Sequence, residues 1–587
     1  MSTTAVTEVA RPADYPDVAM YIDGEWVQGM AGRGDDVVNP ATGRALGRVP
    51  FAGPEDVDRA IEAARVAFRG WRDAGPEARS AILLRASGLI HQRAADIGRV
   101  MTLEEGKPLP EATGEVHRAA TLLAWDCEEG RRAYGRIIPS STNEVLSVRQ
   151  VPVGPVGALV PWNFPAGGPM RKIAAALSAG CSIVIKPSEE VPGTVFLLAR
   201  AFEEAGLPPG VLNLVYGVPD EISRRVIASP AIRFIAFTGS VPVGKHIAGL
   251  AAASMKPSIM ELGGHAPVIV CADTDPVAAA RSAVRAKAVN AGQVCTSPSR
   301  FLVDRRILPA FTDAFVAAMQ AIKVGNGLDD GVQMGPMVSE RRRAGLHRLV
   351  TDAVECGARV MLGGEPTPGP GFFYPATVLT DVPPDAALLH EEPFGPVAPI
   401  NGFDDIDEAL EVANSLPYGL AAYGFTDSAA TAERLIAGFE AGILSINHCG
   451  GSVPQAPSGG SRTAATAGKA ATRACPATWS PSAYHTSWPH DLVPLRRRRA
   501  PALRAGRGGR GHGGGRGPVR QAPPAEPAAA APGGPAAAAA SDPRHVLLRR
   551  AELQGARRAR GRRGPLAGGA HPAGDRVPRE QRADRAR

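Results

Sequence analysis

Apolar residues recur at two spacings along the first 460 residues of the chain, and the two spacings alternate. Residues 54–71 repeat apolar side chains at helical spacing, and residues 77–102 and 110–134 are further predicted helices. Residues 20–27 predict a strand. Short apolar runs between helical stretches predict buried parallel strands, and these lie at residues 157–160, 182–185, 211–215, 233–237, 268–270 and 301–303. The alternation predicts an α/β fold with two lobes.

Outside the two lobes, the pattern predicts three other parts. Residues 144–153 alternate apolar and polar side chains, which is typical of an exposed antiparallel ribbon. Beyond residue 460 Arg, Ala, Gly and Pro dominate, a composition that cannot bury a core, so a disordered tail is expected there. The expected organisation is a polar arm at 1–18, a first lobe at 19–135 and 156–263, a ribbon at 136–155, a second lobe at 264–460 and a tail at 461–587.

Net charge divides the chain at the same boundary. The whole chain has a formal net charge of +7, yet residues 461–587 alone carry 25 Arg and Lys against 7 Asp and Glu, so the body is acidic. The cysteines show no paired spacing, which favours a reducing compartment. No signal peptide is visible, and the longest apolar stretch, residues 173–185, is too short to cross a membrane. We therefore expect a cytoplasmic protein without a membrane partner.

Cys295 and Glu261 are the leading candidates for catalysis. Cys295 ends the segment Asn-Ala-Gly-Gln-Val-Cys, and Glu261 stands in Met-Glu-Leu-Gly-Gly. A thiolate attacks carbonyl carbon and a carboxylate can activate water, so the two groups are suited to oxidising an aldehyde through a thioester. A lone cysteine is more often a small buried hydrophobe, but the two flanking segments favour the catalytic interpretation.

A third segment, Pro-Trp-Asn-Phe-Pro at residues 161–165, follows the first predicted buried strand, where parallel sheets bind ligands. Asn163 could donate its amide to a developing oxyanion, beside the backbone N–H of Cys295. Arg171 and Lys172 place cations nearby that could favour a thiolate. Taken alone, Asn163 is more often a structural loop residue and the two cations an ordinary solvated helix face.

Segments that follow later strands are suited to a dinucleotide. Glu189 follows Lys-Pro-Ser at the end of a predicted strand, where an acid would take ribose hydroxyls and repel a 2′-phosphate, so NAD is favoured over NADP. Phe-Thr-Gly-Ser at residues 237–240 opens a predicted helix whose N-terminus could face a pyrophosphate. Glu-Pro-Phe-Gly-Pro at residues 392–396 offers a carboxylate and an aromatic ring, although alone it is an ordinary turn.

Together these segments resemble the NAD(P)-dependent aldehyde dehydrogenase superfamily over about residues 18–460. The resemblance implies a Rossmann-like NAD-binding lobe, an α/β catalytic lobe and a β-ribbon for assembly into a homodimer or homotetramer. It implies that Cys295 forms a thiohemiacetal with a small aldehyde while Asn163 holds the oxyanion. Glu261 then activates water, Lys172 belongs to the catalytic set, and no metal ion is implied. The cofactor cleft is expected to be lined by Pro161, Trp162, Lys186, Ser188, Glu189, Gly239, Ser240, Val243, Leu262, Glu392 and Phe394.

Within that superfamily the chain is most similar to the succinate-semialdehyde dehydrogenases. Residues 102–108, residues 128–135 and Arg171 carry this likeness, and it implies that Arg171 holds the substrate carboxylate. Two departures weaken it. Val289 stands where these enzymes carry a second arginine, and Ser297 stands where they often carry a second cysteine. A general aliphatic or aromatic aldehyde therefore stays an alternative substrate.

The resemblance ends after residue 460, where family members continue with Lys-Ser-Gly-x-Gly-Arg-Glu and a last strand rich in Thr and Lys. Codons can be written for residues 461–471 that, read one base earlier, encode Lys-Asp-Ser-Gly-Tyr-Gly-Arg-Glu-Gly-Gly, and residues 477–488 yield a Thr-Lys strand in the same way. Our hypothesis is a frameshift, which the nucleotide sequence would refute if its codons forbid the shifted frame. Loss of the last strand would leave the ribbon with an unpaired edge. Impaired assembly and reduced or absent activity are then expected.

Nucleic-acid binding is an alternative role for the tail. The arginines at residues 496–499 and the Gly-Arg run at 506–517 carry positive charge that phosphates attract. No aromatic residue is interleaved beyond Trp488, so bases have no stacking platform. A nucleic-acid partner is therefore disfavoured, and the frameshift accounts for the same arginines. An inactive scaffold is also disfavoured, because all three candidate catalytic residues are present.

Overall fold

The computed structural model describes residues 15–29, 32–140, 144–450, 454, 459–464 and 479–487. Its strands are β1 (Met20–Ile22), β2 (Glu25–Val27), β3 (Gly34–Asn39), β4 (Arg44–Pro50), β5 (Arg136–Ile138), β6 (Glu144–Pro152), β7 (Val156–Leu159), β8 (Ile183–Lys186), β9 (Leu212–Leu214), β10 (Phe234–Thr238), β11 (Ser258–Glu261), β12 (Ala266–Val270), β13 (Pro298–Asp304), β14 (Arg359–Leu362), β15 (Thr377–Thr380), β16 (Val397–Phe403), β17 (Ala421–Phe425), β18 (Ile443–Ile446) and β19 (Trp479–Ser487). Its α-helices are α1 (Pro54–Asp73), α2 (Gly75–Gln92), α3 (Ala94–Glu105), α4 (Leu109–Gly130), α5 (Gly167–Ala179), α6 (Pro192–Glu204), α7 (Pro219–Ala228), α8 (Val241–Ala253), α9 (Pro276–Ala288), α10 (Leu308–Gln320), α11 (Glu340–Glu355), α12 (Ile406–Asn414) and α13 (Ala429–Gly438).

The first large sheet has the strand order β11-β10-β7-β8-β9-β1-β2. Strands β7 to β11 run parallel, and β1 joins β9 antiparallel at one side. Every residue of β7, β8 and β9 is buried, which explains their continuous apolar runs. Because parallel strands share their carboxyl edge, the loops that follow β7, β8, β10 and β11 leave the sheet on one side. These loops carry the segments predicted to form the site.

The second large sheet has the order β14-β15-β16-β13-β12-β17-β18, and only its edge strand β14 runs antiparallel to its neighbour. Helix α9 passes through a 3₁₀ turn, Val289–Gly292, into the segment that carries Cys295 and then into β13. Residues 262–265 connect β11 of the first sheet to β12 of the second. The predicted α/β fold with two mainly parallel sheets is confirmed.

Two predicted elements are each divided in the structure. The predicted strand at residues 20–27 is a hairpin, because Asp23 and Gly24 adopt φ of 55° and 81°. An Asp-Gly pair with both φ positive makes the tight turn that joins two short antiparallel strands. The predicted helix at residues 77–102 breaks at Arg93, between α2 and α3, where φ is −97° and ψ is 13°. Arg93 is neither glycine nor proline, so the sequence does not mark this break.

The ribbon has a partner on both sides, so the expected unpaired edge is wrong. β6 pairs antiparallel with β5 on one side and with β19 on the other, in a register from Trp479 opposite Pro152 to Ser487 opposite Glu144. A strand edge offers free N–H and C=O groups that any extended segment can pair with. Residues 479–487 contain Trp, Tyr and Thr, which favour strands, and β19 is an outer strand, where Pro481 is tolerated.

Two segments expected to be disordered or peripheral belong to the folded body. Ser461 N donates to Gly419 O at 2.9 Å, and Leu262 N donates to Ala464 O at 2.8 Å. Side chains add to these main-chain contacts: Arg462 donates to Asn414 O and to Leu416 O, each at 2.7 Å, and Thr463 Oγ1 donates to Pro417 O at 2.8 Å. Within the predicted arm, Tyr15 is buried and its hydroxyl donates to Glu104 Oε2 at 2.8 Å. The rest of the predicted arm and tail, residues 1–14, 465–478 and 488–587, lies outside the described residues.

No helix in the described ranges combines the length and the apolar character needed to cross a membrane.

Truncation after residue 478 is expected to expose the outer edge of β6, because it removes β19. We expect this variant to self-associate through the free edge and to form larger species than a control truncated after residue 487. Size-exclusion chromatography with light scattering measures the difference. Identical elution of the two truncations would contradict a protective role for β19.

Candidate active site

Cys295 follows a tightly constrained turn. Asn290, Ala291 and Gly292 have φ of 48°, 51° and 73°, so three successive residues lie in the left-handed region. A Cβ on Gly292 would overlap the carbonyl of Gly395, so only glycine fits there. The left-handed conformation costs about 1 kcal/mol or more at each non-glycine residue and persists only where neighbours enforce it. The position of the thiol is therefore fixed by tertiary contacts.

Gln293 supplies several of those contacts from inside the loop. Its side chain is fully buried, with Nε2 donating to Asn290 O at 3.1 Å and Oε1 accepting from Val338 N at 3.0 Å. The carbonyl of Gln293 accepts a hydrogen bond from Asn163 Nδ2 at 3.2 Å. The amide of Asn163 thus lies against the segment that carries Cys295.

A buried ammonium binds the backbone carbonyl of Asn163. Lys107 Nζ donates to Asn163 O at 3.2 Å, and Asn290 Nδ2 donates to the same carbonyl at 2.9 Å. Lys107 also pairs with Glu115 Oε2 at 2.5 Å. Glu115 Oε1 in turn accepts from two backbone N–H groups at the start of α5, each at 2.9 Å. This carboxylate therefore satisfies the positive end of the helix that follows Asn163.

Lys107 and the acidic groups around it shift one another's pKa values. Burial lowers the pKa of Lys107, but the carboxylates of Glu105, Glu115 and Glu111 outweigh that effect and raise it above its usual value. Burial also raises the pKa of Glu105 to about 8, although Lys107 opposes the increase. The acidic groups around Lys107 therefore favour its charged form. A buried charge left without partners would cost several kcal/mol, on the order of 3–5.

Glu261 and Cys295 are linked through a short glycine-rich segment. Glu261 is buried at the carboxyl end of β11, and the backbone N–H of Gly239 donates to its carbonyl at 3.1 Å. A Cβ on Gly264 would lie 2.9 Å from the carbonyl oxygen of Cys295, so this glycine allows the two segments to pack closely. Gly264 N also donates to Glu392 Oε1 at 3.1 Å. The three segments form one continuous wall.

Two titratable groups in this wall have pKa values shifted toward neutrality. Burial raises the pKa of Glu392 to about 7, although the Gly264 N–H, Arg342 and Lys287 lower it. Burial lowers the pKa of Lys287 to about 7, although Glu392 raises it. Lys287 Nζ lies 3.4 Å from the hydroxyl of Ser297.

Aromatic rings from the two halves of the chain meet beside this wall. Trp162, in the loop after β7, and Phe394, in the loop before β16, stack edge to face with ring centroids 5.7 Å apart. The guanidinium carbon of Arg342, on α11, lies 5.8 Å from the Trp162 centroid and 5.9 Å from the Phe394 centroid. These side chains line the cleft between the loops of the two sheets.

Polar groups after β8 are paired with one another. Lys186 forms an ion pair with Glu189, and the hydroxyl of Ser188 donates to the carboxylate of Glu190. Lys186 is buried, whereas Glu189 keeps part of its side chain exposed. The loop from Pro161 leaves the neighbouring strand β7 on the same side of the sheet.

The start of α8 fits a nucleotide. Ser240 precedes this helix without a side-chain cap, so the first backbone N–H groups can bind an anion. Val243 in the first turn is 47% exposed, an apolar surface that a heterocyclic ring could cover. A Cβ on Gly244 would overlap the side chain of Leu262, so α8 packs closely onto the segment after Glu261. A dinucleotide requires an open helix terminus, an exposed apolar side chain and a carboxylate nearby.

Helix α5 places two cations close to the loop of Asn163. Lys172 is buried and Arg171 is half-buried on this helix. Arg171 lies near Asp126 of α4. Burial raises the pKa of Asp126 to about 7, and the positive charge of Arg171 opposes that increase. The charge of Arg171 therefore has an acidic neighbour.

The structure brings the predicted catalytic segments together, but sequence reasoning missed residues that support them. Lys107 lies in the segment at residues 102–108, whose sequence indicates only a likeness to a family, and Glu115 lies in no recognisable motif. Arg342 belongs to three consecutive arginines, a pattern typical of a solvated helix face. The helix cap at Ser339, which accepts from Arg342 N at 3.4 Å, is the signal that could have placed Arg342 on the first turn.

Comparison with known proteins extends the resemblance past residue 460. The profile of the Aldehyde dehydrogenase family matches residues 26–477. The putative 4-(hydroxymethyl)benzenesulfonate dehydrogenase TsaD2 of Comamonas testosteroni is 46% identical over 446 residues, which cover 75% of this chain and 92% of that protein. The succinate-semialdehyde dehydrogenase of Paenarthrobacter nicotinovorans is 43% identical over 410 residues, which cover 68% and 91%.

A solved structure shares the fold. The crystal structure of succinate-semialdehyde dehydrogenase from Burkholderia pseudomallei aligns with a TM-score of 0.79 and 36% identity, and covers 82% of this chain and 100% of that one. Members of this family use NAD or NADP. The family profile spans most of the chain, and both relatives exceed 40% identity over at least two thirds of it. The chain belongs to the aldehyde dehydrogenase family.

Proposed function

We propose that this protein oxidises an aldehyde that carries an anionic group to the carboxylic acid, with Cys295 as the nucleophile and NAD as the cofactor. The observation that carries the proposal is the contact between Asn163 Nδ2 and the carbonyl of Gln293, at 3.2 Å. It places an amide donor against the segment of a half-buried thiol. An amide donor next to the segment that carries a thiol is suited to acyl chemistry at a carbonyl carbon.

The first step is attack of the Cys295 thiolate on the aldehyde carbon. The carbonyl oxygen becomes an oxyanion, which the Asn163 amide and the backbone N–H of Cys295 stabilise; one such donor contributes about 10²–10³ in rate. The cations of Arg171 and Lys172 favour the thiolate. The Lys107 cluster contributes by holding Asn163 through its carbonyl, so that the donor is already oriented before substrate binds.

A bound nicotinamide dinucleotide supplies the hydride acceptor that converts the thiohemiacetal to a thioester on Cys295. Trp162, Phe394 and Glu392 line the nicotinamide end of the cleft in this proposal. The start of α8, with Gly239, Ser240, Val243 and Leu262, holds the diphosphate and the adenosine end, and Pro161 and Ser188 complete the lining. Glu189 accepts from ribose hydroxyls and would repel a 2′-phosphate, so we favour NAD over NADP.

Hydrolysis of the thioester is assigned to Glu261. Its carboxylate removes a proton from water, the resulting hydroxide attacks the thioester carbon, and the Cys295 thiolate leaves with the acid as product. The close approach of Gly264 to the Cys295 segment supports this assignment, because Glu261 lies three residues before Gly264.

The anionic group is assigned to the substrate because of Arg171. The named substrates of the relatives above carry a sulfonate or a carboxylate. Arg171 is the half-buried cation on α5, the helix that begins just after the Asn163 loop. Val289, in place of a second arginine, leaves the anion with one arginine instead of two, which extends the substrate range toward larger or uncharged aldehydes.

We also propose that the protein assembles and is active. The pairing of β19 with β6 and the docking of residues 461–464 support this over the impaired enzyme expected from a missing last strand. A homodimer or homotetramer built through the ribbon stays a proposal.

Replacing Glu261 with Gln is expected to separate the two chemical steps. Acylation still releases one NADH per active site in a burst, whereas steady-state turnover falls by about 10²–10⁴-fold because water is no longer activated. Stopped-flow absorbance at the NADH band measures both phases. Cys295→Ala is the control and should show neither burst nor turnover. A Glu261→Gln enzyme with unchanged turnover would assign the base elsewhere.

Replacing Arg171 with Met is expected to raise the KM for succinate semialdehyde by about tenfold and to leave the KM for an uncharged aldehyde of similar length nearly unchanged. Asp126→Asn is the matched control, because removing this neighbouring negative charge should lower the KM for the anionic substrate. Steady-state assays at a pH above the Asp126 pKa of about 7 test both variants. Equal effects on charged and uncharged aldehydes would argue against charge recognition.

NAD⁺ binding is expected to tighten as pH rises through about 7, by up to about tenfold, because Glu392 has a pKa raised to about 7. Below that pH Glu392 is a neutral carboxyl; above it a carboxylate accepts hydrogen bonds from ribose hydroxyls. Isothermal titration calorimetry across this range should show the dependence in the wild type and lose it in Glu392→Gln. The exposed Glu391, paired with Arg348 at 2.6 Å, provides the control Glu391→Gln, which should keep it.

A further inference from the structure

Arg342 is half-buried in the cleft and has no role in the chemistry proposed above. It lies in the first turn of α11, where Ser339 caps the helix and accepts from Arg342 N at 3.4 Å. Its guanidinium carbon is 5.8 Å from the centroid of Trp162 and 5.9 Å from that of Phe394. Contact with two aromatic rings holds a planar cation in one orientation.

Part of the hydrogen-bonding capacity of this guanidinium is unused among the residues that the structure describes. Among the described residues, Nε of Arg342 is buried and has no hydrogen-bond partner. Burial and the neighbouring Arg341 lower the pKa of Arg342, whereas Glu190 and Glu392 raise it. No described carboxylate comes within ion-pair distance of it. An arginine has five N–H donors in a planar fork, and a buried donor without a partner is costly, about 1–3 kcal/mol.

Other cations near the cleft are already engaged. Lys186 is paired with Glu189, and Lys287 is fully buried with its ammonium 3.4 Å from the hydroxyl of Ser297. Glu189, Glu190 and Glu392 make this side of the cleft acidic. A ligand with negative charge therefore needs a cation here, and Arg342 has the free donors to provide it.

We propose that Arg342 binds the diphosphate of the nicotinamide dinucleotide, holding it across Trp162 and Phe394. The planar fork of guanidinium matches two phosphate oxygens, and such charge-assisted pairs are short and directional. Diphosphate oxygens would also give the buried Nε a partner. The inference rests on the proposed function, because it assigns a residue to the cofactor of that reaction.

Calorimetric binding of NAD⁺, ADP-ribose and adenosine to the full-length protein tests this inference. Arg342→Gln should weaken NAD⁺ and ADP-ribose by about 10- to 100-fold, the loss expected for a hydrogen bond to a charged group. Adenosine, which has no phosphate, should bind equally to both proteins. Arg342→Lys keeps the charge without the planar fork and should give an intermediate loss. Arg341→Gln removes an exposed charge from the same helix and should change nothing.

The outcomes separate this inference from the proposed function. Wild-type protein that binds NAD⁺ and oxidises aldehyde, together with Arg342→Gln that binds ADP-ribose as tightly as wild type, overturns the assignment of Arg342 alone. Equal losses in Arg341→Gln and Arg342→Gln also overturn it, because the effect would then be general electrostatic attraction. Wild-type protein that binds neither NAD⁺ nor NADP⁺ overturns the proposed function as well. A melting temperature for each variant confirms that the loss is not unfolding.

Discussion

The buried ammonium of Lys107 controls the geometry of the candidate site more than any other group described above. It contacts the carbonyl of Asn163 directly and reaches the start of α5 through Glu115. The carbonyl of Asn163 also accepts from Asn290, which belongs to the turn before Cys295. Burying an ammonium is costly unless its partners remain in place, so the same interaction makes the position of Asn163 relative to the thiol hard to change.

The two sheets divide the work of building the cleft. The first sheet contributes the loops after β7, β8, β10 and β11, which leave its shared carboxyl edge. The second sheet contributes the turn of Cys295, the loop of Phe394 and the first turn of α11. Because each sheet supplies only part of the lining, the short segment between Glu261 and β12 determines how closely the two halves approach. Its glycines allow that approach where a side chain would block it.

The fold class could be predicted from the sequence because it depends on local patterns, and similar patterns singled out Cys295 and Glu261, whose catalytic roles stay predictions. Buried strands are continuous apolar runs, and the segments around Cys295 and Glu261 carry distinctive neighbours. The sequence could not predict the break at Arg93, where no glycine or proline marks the change. It also could not predict the position of Arg342, because whether an arginine faces solvent or a cleft depends on how α11 packs against Trp162 and Phe394.

The pairing of β19 could not be predicted for a related reason. Composition indicates whether a segment can form its own core. An edge strand needs only a neighbouring strand with unpaired backbone N–H and C=O groups.

The pairing of β19 with β6 through backbone groups has a consequence for which sequences can occupy this edge. Backbone pairing depends on the length and extension of a strand, and much less on which amino acids compose it. Segments of different sequence can therefore form the outer strand of this ribbon, as long as they are able to extend. The turn before Cys295 is different, because specific contacts there require Gly292 and Gln293.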